Sequence, residues 1–544
     1  MKHGLCLRVC SISILALIVF SMLQTFAIAA PIQVPQAQPA GPRIWLGERQ
    51  QLPMQAGGAP GGASLLAGHA AVSPAAAQPL ALTTGDVDED GIPDLLVGYA
   101  GQISILRGNI DAFAPQSDAS FQAIANGQFP SPFLAQGTTL ATPVNPDFMA
   151  VGHFTASGHN DLVIAAKGGT ALYVFAGDGK GNFAPPQTVN LPGGVTAMLG
   201  GKLGRTTGFP QVIVGINGSS GPELAIFNGS LDGLDPVAAF PLGGAASNLN
   251  LADFGDGGND LAFLAGGKVE ILRSSTMRLQ EVTLPITASA LTVGSFVIDR
   301  MPGLQLALLT ADGTIHIAAH NEFDPRAYSA DEAKALGQSG KARTEPNPLL
   351  PARVFPTNGW KIVEDINAAA TFATGQPPVL FRTRISDHQM DDVMVLSGST
   401  GLLTVVQHPD VPQGATTFAP AVLSTRPYSG NPLAAIPQRL NVDGRSGVLA
   451  IHAGESAPSM LMPLPDPTFT VNTTNDTLSA GACAAATPGQ CSLREAIIEA
   501  NATPGTDTIM VPAGTFTLTR ARNAADHHTS QQGTLEVQIG RAHV

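Results

Sequence analysis

The sequence is poor in charge, and above all in positive charge. Only 13% of the 544 residues are charged, and 28 Lys and Arg stand against 41 Asp and Glu, which gives a net charge of −13. A nucleic-acid partner requires a basic face, which this excess of acid does not supply. We therefore expect no nucleic-acid binding, whereas an acidic, oxygen-rich surface suits cations.

Two common catalytic motifs are also missing. The 12 histidines are scattered along the chain, and neither HExxH nor GxSxG occurs. The first motif would supply a metalloprotease centre and the second a nucleophile elbow. The sequence therefore favours a protein that is not an enzyme and acts through binding.

The N-terminal segment carries the three parts of a secretory signal peptide. Lys2 and Arg8 supply positive charge, residues 12–20 form an apolar run, and residues 27–29 form a small-x-small cleavage site. A membrane anchor is the alternative, but the apolar run is short for a span. We predict a signal peptide over residues 1–29, export to the cell surface or the medium, and no stable membrane span after cleavage.

Cysteine is scarce, with four residues in the whole chain. Cys6 and Cys10 would leave with the signal peptide, and Cys10 precedes the apolar run, which is the wrong place for lipid attachment. Cys483 and Cys491 remain. Because the exterior of the cell is oxidising, we predict a disulfide between them.

Glycine and proline are abundant, at 60 and 43 residues, which is typical of many turns between short strands. Seven repeated units each contain a Gly- or Asp-rich turn, an apolar strand, a small turn and, in most units, an alternating strand. We call the residue that opens the apolar strand the anchor; the anchors are Asp94, Asp161, Gln211, Asp260, Gln305, Asp392 and Gly447. Their spacing is 45 to 67 residues, apart from one gap of 87 that holds a polar insertion at 321–357. Such a period is typical of β-propeller blades.

The most distinctive segment is the acidic loop 86–94, where carboxylates alternate with other residues and Gly91 permits a sharp turn. Ca²⁺ takes about 6–8 oxygen ligands, which such a loop can offer. An EF-hand is excluded, because its twelfth position requires Glu and here holds Val97. A solvated acidic turn is the alternative. The predicted Ca²⁺ ligands are the side chains of Asp86, Asp88, Asp90 and Asp94 and the backbone carbonyl of Ile92.

The stretch from Gly85 to Leu95, together with the turn Gly177–Phe183, resembles the FG-GAP/VCBS repeat of secreted bacterial proteins and integrin-type propellers. The resemblance covers residues 81–465 and implies a seven-bladed β-propeller with Ca²⁺ in its blade loops. Residues 30–80, rich in Ala, Pro and Gly, are interpreted as a linker before it.

The other six loops depart from the pattern, and we expect at most one weak further metal site. In the second unit, the positions of the first three acidic residues hold His153, Thr155 and Ser157. The fourth unit keeps Asp253, Asp256 and Asp260 in a loop that is one residue shorter.

Residues 468–538 resemble the CSLREA-type domain that opens right-handed parallel β-helices on secreted proteins; the run Cys491-Ser492-Leu493-Arg494-Glu495-Ala496 carries the resemblance. It implies a capping helix near Leu493–Ala500 and first rungs at 509–511 and 516–518. Arg494 and Glu495 are interpreted as stabilising the cap, with a catalytic pair as the alternative. Residues 539–544 match one translation frame of a sequencing adapter, so we expect them to be an artefact and the gene to continue.

The predicted fold class is therefore all-β, a seven-bladed β-propeller followed by a truncated start of a right-handed parallel β-helix. We expect a secreted, calcium-binding, non-enzymatic surface or interaction protein of adhesion-like type. Its partner would be an extracellular protein or polysaccharide. The alternative is a β-helix enzyme that acts on polysaccharide and whose catalytic part is missing from this chain.

Overall fold

The structure is a computed structural model, and its described residues belong to one compact unit, Ile44–Val544. They are residues 46–52, 78–125, 128–205, 208–231, 233–255, 257–301, 303–329, 331–332, 359–368, 378–386, 388–412, 414–442, 444–463, 468–478, 483, 491–502, 508–520 and 535. The predicted signal peptide and the predicted artefact at 539–544 lie outside these residues.

Seven four-stranded antiparallel sheets dominate the described chain, and each is one blade. With strands numbered in chain order, the first three blades are β2 (Ala81–Gly85), β3 (Asp94–Tyr99), β4 (Gln102–Gly108), β5 (Phe133–Ala141); β6 (Phe148–Gly152), β7 (Asp161–Ala165), β8 (Ala171–Phe175), β9 (Gln187–Asn190); and β10 (Gly193–Gly201), β11 (Gln211–Gly218), β12 (Gly221–Ser230), β13 (Gly233–Pro241).

Blades four to six follow the same plan of consecutive hairpins. They are β14 (Ala246–Asp253), β15 (Asn259–Ala265), β16 (Lys268–Arg273), β17 (Arg278–Val282); β18 (Ala288–Gly294), β19 (Gln305–Thr310), β20 (Thr314–His320), β21 (Trp360–Asn367); and β22 (Val379–Thr383), β23 (Asp392–Ser397), β24 (Leu402–Gln407), β25 (Val422–Pro427).

The seventh blade joins the two ends of the propeller. Its strands are β26 (Asn431–Gln438), β27 (Gly447–Ala453), β28 (Ser459–Pro463) and, on the outer edge, β1 (Leu46–Gln51). β1 lies in the stretch that we interpreted as linker, and its sequence LGERQQ gave no strand signal because it is an edge strand with mostly polar, partly exposed residues. The propeller therefore includes a segment of chain far upstream of residue 81.

The first strands of neighbouring blades contact one another, and β26 contacts β2, so the seven blades form a closed ring. The second strand of each blade is almost wholly buried, as in β3 and β23, where every residue is buried. These strands read as continuous apolar runs because both faces of each blade are covered by the neighbouring blades. The predicted all-β, seven-bladed propeller is confirmed.

The hydrophobic core lies between blades rather than inside them. Leu96 and Ile105 of blade one pack with Leu162 and Phe175 of blade two. The same arrangement closes the ring, where side chains of β3 pack with those of β27. Because one blade cannot cover its own faces, the blades are stable only as a stack around the ring.

Two short helices, α1 (Ile110–Phe113) and α2 (Asp118–Ala125), lie between β4 and β5 of blade one. The predicted polar insertion lies between β20 and β21. No helix in the described part of the chain has the length and apolar character needed to cross a bilayer.

After the propeller, β29 (Thr468–Thr470) pairs in parallel with β30 (Thr508–Met510), and α3 (Leu493–Ala502) lies between them in sequence. A disulfide joins Cys483 and Cys491, with Cα atoms 4.6 Å apart. The second predicted rung, 516–518, is not a strand. Within the described residues the parallel pairing is confined to one strand pair, so a β-helix is not established.

Candidate metal centre

The acidic loop 86–94 folds around its own carboxylates. The carboxylate of Asp86 accepts hydrogen bonds from the backbone N–H groups of Asp90 (3.1 Å) and Gly91 (2.9 Å), and that of Asp90 accepts one from Ile92 (2.8 Å). Gly91 and Glu89 have positive φ values of 89° and 58°, a conformation in which glycine is not strained. The alternation of acidic residues therefore shapes the turn as well as supplying oxygens.

Asp94, the anchor of blade one, is fully buried at the start of β3. Its carboxylate accepts N–H groups from Val87 (2.9 Å) and Gly108 (2.8 Å), which ties the loop to the end of β4. Burial raises the pKa of Asp94 to about 6; the two N–H groups oppose the shift, and the nearby carboxylates of Asp90 and Asp86 add to it. A nearby positive charge would relieve this burial penalty.

Three of the predicted metal ligands come together. One carboxylate oxygen each from Asp86, Asp88 and Asp94 lie within 4.8 Å of one another. Asp90 is not in this group, and its carboxylate accepts the N–H of Ile92 instead. One oxygen of Asp88 is buried without a hydrogen-bond partner. Clustered, desolvated carboxylate oxygens of this kind suit a hard divalent cation.

Arg107, at the end of β4, forms an ion pair with Asp88 and also donates to the backbone carbonyl of Lys180 in blade two. The Lys180 carbonyl belongs to the turn predicted from Gly177–Phe183, where the Asp178 carboxylate accepts the N–H groups of Lys180 and Asn182 at 2.8 and 3.0 Å. Sequence reasoning missed Arg107, because nothing in a strand-ending arginine indicates which loop it will reach.

The loop is also bound to the loop of blade two by Glu89. Its carboxylate lies 2.9 Å from His159 Nδ1 and accepts the N–H of Asn160 at 2.9 Å, while the Asn160 side chain donates to the Asp86 carbonyl at 2.7 Å. The hydrogen bond with His159 is the main cause that lowers the pKa of Glu89. The acidic loop is therefore part of the junction between the first two blades.

The anchors of the other blades repeat the tethering role of Asp94. The amide oxygens of Gln211 and Gln305 accept the N–H groups of Leu203 and Phe296, each at 2.8 Å. All six anchors that have a side chain are at most 5% exposed. In blades one, two, three, five and six the anchor oxygen thus fixes the preceding loop to its blade.

The anchor carboxylates of blades two, four and six have an additional donor beyond backbone N–H groups. Asp161 accepts the hydroxyl of Ser157 (2.8 Å), and Asp392 that of Ser386 (2.7 Å). Asp260 accepts Arg273 Nη1 at 2.8 Å, together with the Ser274 hydroxyl at 3.0 Å. Asp94 has no such donor among the described residues.

The fourth loop, which keeps three acidic residues of the pattern, is held by its own groups. The Asp253 carboxylate accepts the N–H groups of Gly255 (2.8 Å) and Gly257 (3.0 Å), and Asp260 is paired with Arg273. Asp256 lies outside the described residues. The guanidinium of Arg273 provides the positive charge at this anchor.

A second repeated feature was missed by sequence reasoning: each loop buries an apolar side chain six to nine residues before its anchor, and the loop of blade five buries Val297 as well. These residues are at most 5% exposed and are Val87, Phe154, Leu203, Phe254, Phe296, Ile385 and Leu440. The signal was available, because each stands six to nine residues before its anchor. It was overlooked because a lone apolar residue in a polar loop has no periodicity.

In the C-terminal segment, Arg494 is fully buried and forms a two-point ion pair with Asp476, with contacts of 2.5 and 3.1 Å. Asp476 also accepts the N–H groups of Thr519 and Arg520. Burial opposes ionisation of Asp476, but these hydrogen bonds outweigh it and lower its pKa to about 2. Arg494 therefore holds the segment together.

Residues 79–106 match the FG-GAP repeat family, and this stretch contains strand β2, the acidic loop, strand β3 and most of β4. No curated protein matches the chain. The coincidence of the matched repeat with the carboxylate cluster makes this loop the principal candidate site.

Among solved structures, the chain is similar to the crystal structure of BBS1N in complex with ARL6DN, soaked with lead: identity is 13%, the TM-score is 0.41, and 72% of this chain and 93% of that chain are covered. The structure of U3-55K is 10% identical to this chain with a TM-score of 0.41, and 78% of this chain and 100% of that chain are covered. Hsv2 of Kluyveromyces lactis is 10% identical with a TM-score of 0.33, and 64% of this chain and 99% of that chain are covered.

Proposed function

We propose that the chain is a secreted, non-enzymatic propeller of adhesion-like type in which one calcium ion braces the first blade. The observation that carries the proposal is the contrast between anchors. Asp161, Asp260 and Asp392 each accept a hydroxyl or guanidinium group in addition to backbone N–H groups. Asp94 accepts backbone N–H groups alone and lies beside two other carboxylates, so it lacks the positive partner that a cation would supply.

The donor set fits calcium. Asp86, Asp88 and Asp94 present clustered oxygens, and the buried, unpartnered oxygen of Asp88 is available to a ligand. Asp90 and the carbonyl of Ile92 are the further oxygens that the sequence pattern assigns to such a site. Ca²⁺ accepts this all-oxygen set with variable geometry, and extracellular modules bind it at about 10⁻⁴–10⁻³ M. The ion would supply positive charge that offsets the mutual repulsion of these carboxylates.

The cation would act on architecture rather than on chemistry. The loop that holds it is bonded to blade two through Glu89 and Asn160, so ordering the loop also orders the junction of two blades. A rigid ring of blades presents its loops to a partner, for which we propose an extracellular protein or polysaccharide. The FG-GAP match supports this type of role, because propellers of that family typically act without catalysis.

No observation favours the alternative, an enzyme that acts on polysaccharide. In the described C-terminal segment, the buried pair of Arg494 with Asp476 has a structural role, because Asp476 also accepts the backbone N–H groups of Thr519 and Arg520.

The experiment compares thermal unfolding of the full chain in Ca²⁺ and in EDTA for the parent and for Asp90→Ala. At a Ca²⁺ concentration ten times the dissociation constant, binding to the folded state alone stabilises the parent by about 1.4 kcal/mol. Asp90→Ala should lose this difference. Asp178→Ala is the matched control, because it removes a turn-forming carboxylate that lies in blade two, outside the acidic loop 86–94, and should keep the calcium response. An Asp90→Ala variant that responds to Ca²⁺ as the parent does would refute the site.

A further inference from the structure

Blades one and four hold an arginine at the same place. Gly108 and Ser274 both lie 14 residues after their anchors and donate their backbone N–H to the anchor carboxylate, at 2.8 and 2.7 Å. Arg107 and Arg273 immediately precede these two residues at the ends of β4 and β16. The two side chains therefore start from equivalent positions relative to their loops.

Their partners differ. Arg273 donates to its anchor, Asp260, at 2.8 Å, so in blade four the guanidinium neutralises the buried carboxylate directly. Arg107 instead pairs with Asp88, one of the three clustered carboxylates, and reaches across to the carbonyl of Lys180. In blade one the arginine thus lies at the edge of the carboxylate cluster and pairs with Asp88, so neutralisation of the anchor Asp94 requires another cation.

The pair between Arg107 and Asp88 is incompletely satisfied. Arg107 Nε and one oxygen of Asp88 are both buried without a hydrogen-bond partner. The side chains are 24% and 17% exposed, so water screens the pair only in part. Such a contact is weaker than a fully hydrogen-bonded buried pair, and it can exchange for a better one.

We propose that Arg107 is a built-in counter-ion that competes with calcium for Asp88, an inference that rests on the proposed calcium site. When Ca²⁺ binds, Asp88 turns its oxygens to the ion, and repulsion between the ion and the guanidinium releases Arg107 from Asp88, so that the carbonyl of Lys180 is its remaining partner. Arg107 thereby weakens calcium binding and couples occupancy of the loop to the contact between the first two blades.

The test is calorimetric titration of the full chain with CaCl₂. Removing the competing charge in Arg107→Gln should tighten calcium binding about fivefold, the ratio that corresponds to a partly exposed ion pair of about 1 kcal/mol. Arg107→Lys keeps the charge and should stay within about twofold of the parent. Arg273→Gln, at the equivalent position of blade four, should leave calcium affinity unchanged.

A second readout needs no variant. Phenylglyoxal modifies accessible guanidinium groups, and mass spectrometry of the parent locates the modified arginines. Calcium should raise the rate of modification of Arg107 at least twofold, because its pair with Asp88 is released, and should leave that of Arg273 unchanged.

The outcomes separate the two ideas. The competition is overturned if the parent binds calcium but Arg107→Gln binds it equally or more weakly, or if calcium leaves the modification rate of Arg107 unchanged. The proposed calcium site is then still supported. Failure of both the parent and Arg107→Gln to bind calcium overturns the proposed function and this inference together.

Discussion

Asp392, the anchor of blade six, offers the sharpest test of what an anchor does. One of its oxygens accepts two backbone N–H groups, from Ile385 and Ser386, each at 2.8 Å, and the other accepts the Ser386 hydroxyl at 2.7 Å. Burial raises the pKa of Asp392, because desolvation penalises its charged form, while its hydrogen bonds oppose the shift. We therefore expect the side chain to be needed as an acceptor rather than as an anion.

Two substitutions distinguish these roles. Asp392→Ala leaves the buried N–H of Ile385 and the half-buried N–H of Ser386 without acceptors, and at about 1–3 kcal/mol each the free energy of unfolding should fall by about 4 kcal/mol. Asp392→Asn keeps an amide oxygen for both N–H groups, and the Ser386 hydroxyl can rotate to accept from the new NH₂ group. We expect Asp392→Asn to lie within about 1 kcal/mol of the parent.

Asp161, the anchor of blade two, is the matched control because both of its oxygens face backbone donors. One accepts the N–H groups of Phe154 and Thr155, and the other accepts that of Gly177 at 3.1 Å. An Asn side chain must turn its NH₂ group towards one of these donors, so Asp161→Asn should cost about 1–3 kcal/mol.

The assay is urea unfolding at saturating Ca²⁺, read as the midpoint and slope for each variant. We predict the order of stability parent, Asp392→Asn, Asp161→Asn, Asp392→Ala. If Asp392→Asn is as damaging as Asp392→Ala, the charge is required and the acceptor argument is wrong.

Two further predictions concern the seventh blade. Arg49 donates to both oxygens of Glu455 at 2.8 and 2.9 Å, so Arg49→Ala should lower the free energy of unfolding by about 2 kcal/mol and expose β1 to limited proteolysis. Lys268→Ala, which removes an exposed pair with Glu281, should cost less than about 1 kcal/mol; equal losses would contradict a role for Arg49 in closing the ring. Burial lowers the pKa of His452 to about 4, so the unfolded chain binds more protons between pH 6.5 and 4. The neutral His452 side chain therefore contributes about 3 kcal/mol to the free energy of unfolding above pH 6.5, and this contribution is lost as the pH falls towards 4. His452→Phe should make the free energy of unfolding less dependent on pH between 6.5 and 4. An unchanged pH dependence would refute the lowered pKa of His452.

The repeat and the acidic loop could be predicted from the sequence because both are local patterns. Six anchors are the first residue of the second strand of their blade, and Asp260 is the second residue of β15. The clustering of Asp86, Asp88 and Asp94 likewise follows from their spacing around Gly91. Short-range alternation of apolar and acidic residues is enough to place such elements.

What remained hidden depends on contacts between distant segments. β1 pairs with β28 across more than four hundred residues, and a short polar edge strand has no pattern of its own. Arg107 meets Asp88 and Lys180 only because β4 ends at the junction of two blades. Asp90 belongs to the expected ligand pattern, yet its carboxylate is engaged by the N–H of Ile92 in the turn.

The stoichiometry of calcium binding tests the central claim most directly. Equilibrium dialysis of the full chain against radioactive Ca²⁺ should find one ion per chain with a dissociation constant of about 10⁻⁴–10⁻³ M. Asp88→Ala should abolish it, because that residue contributes the unpartnered buried oxygen. In our proposal, one loop of the ring binds a cation, while the described anchor carboxylates of the other blades are satisfied by the protein's own groups. Binding of several ions, or of none, would contradict it.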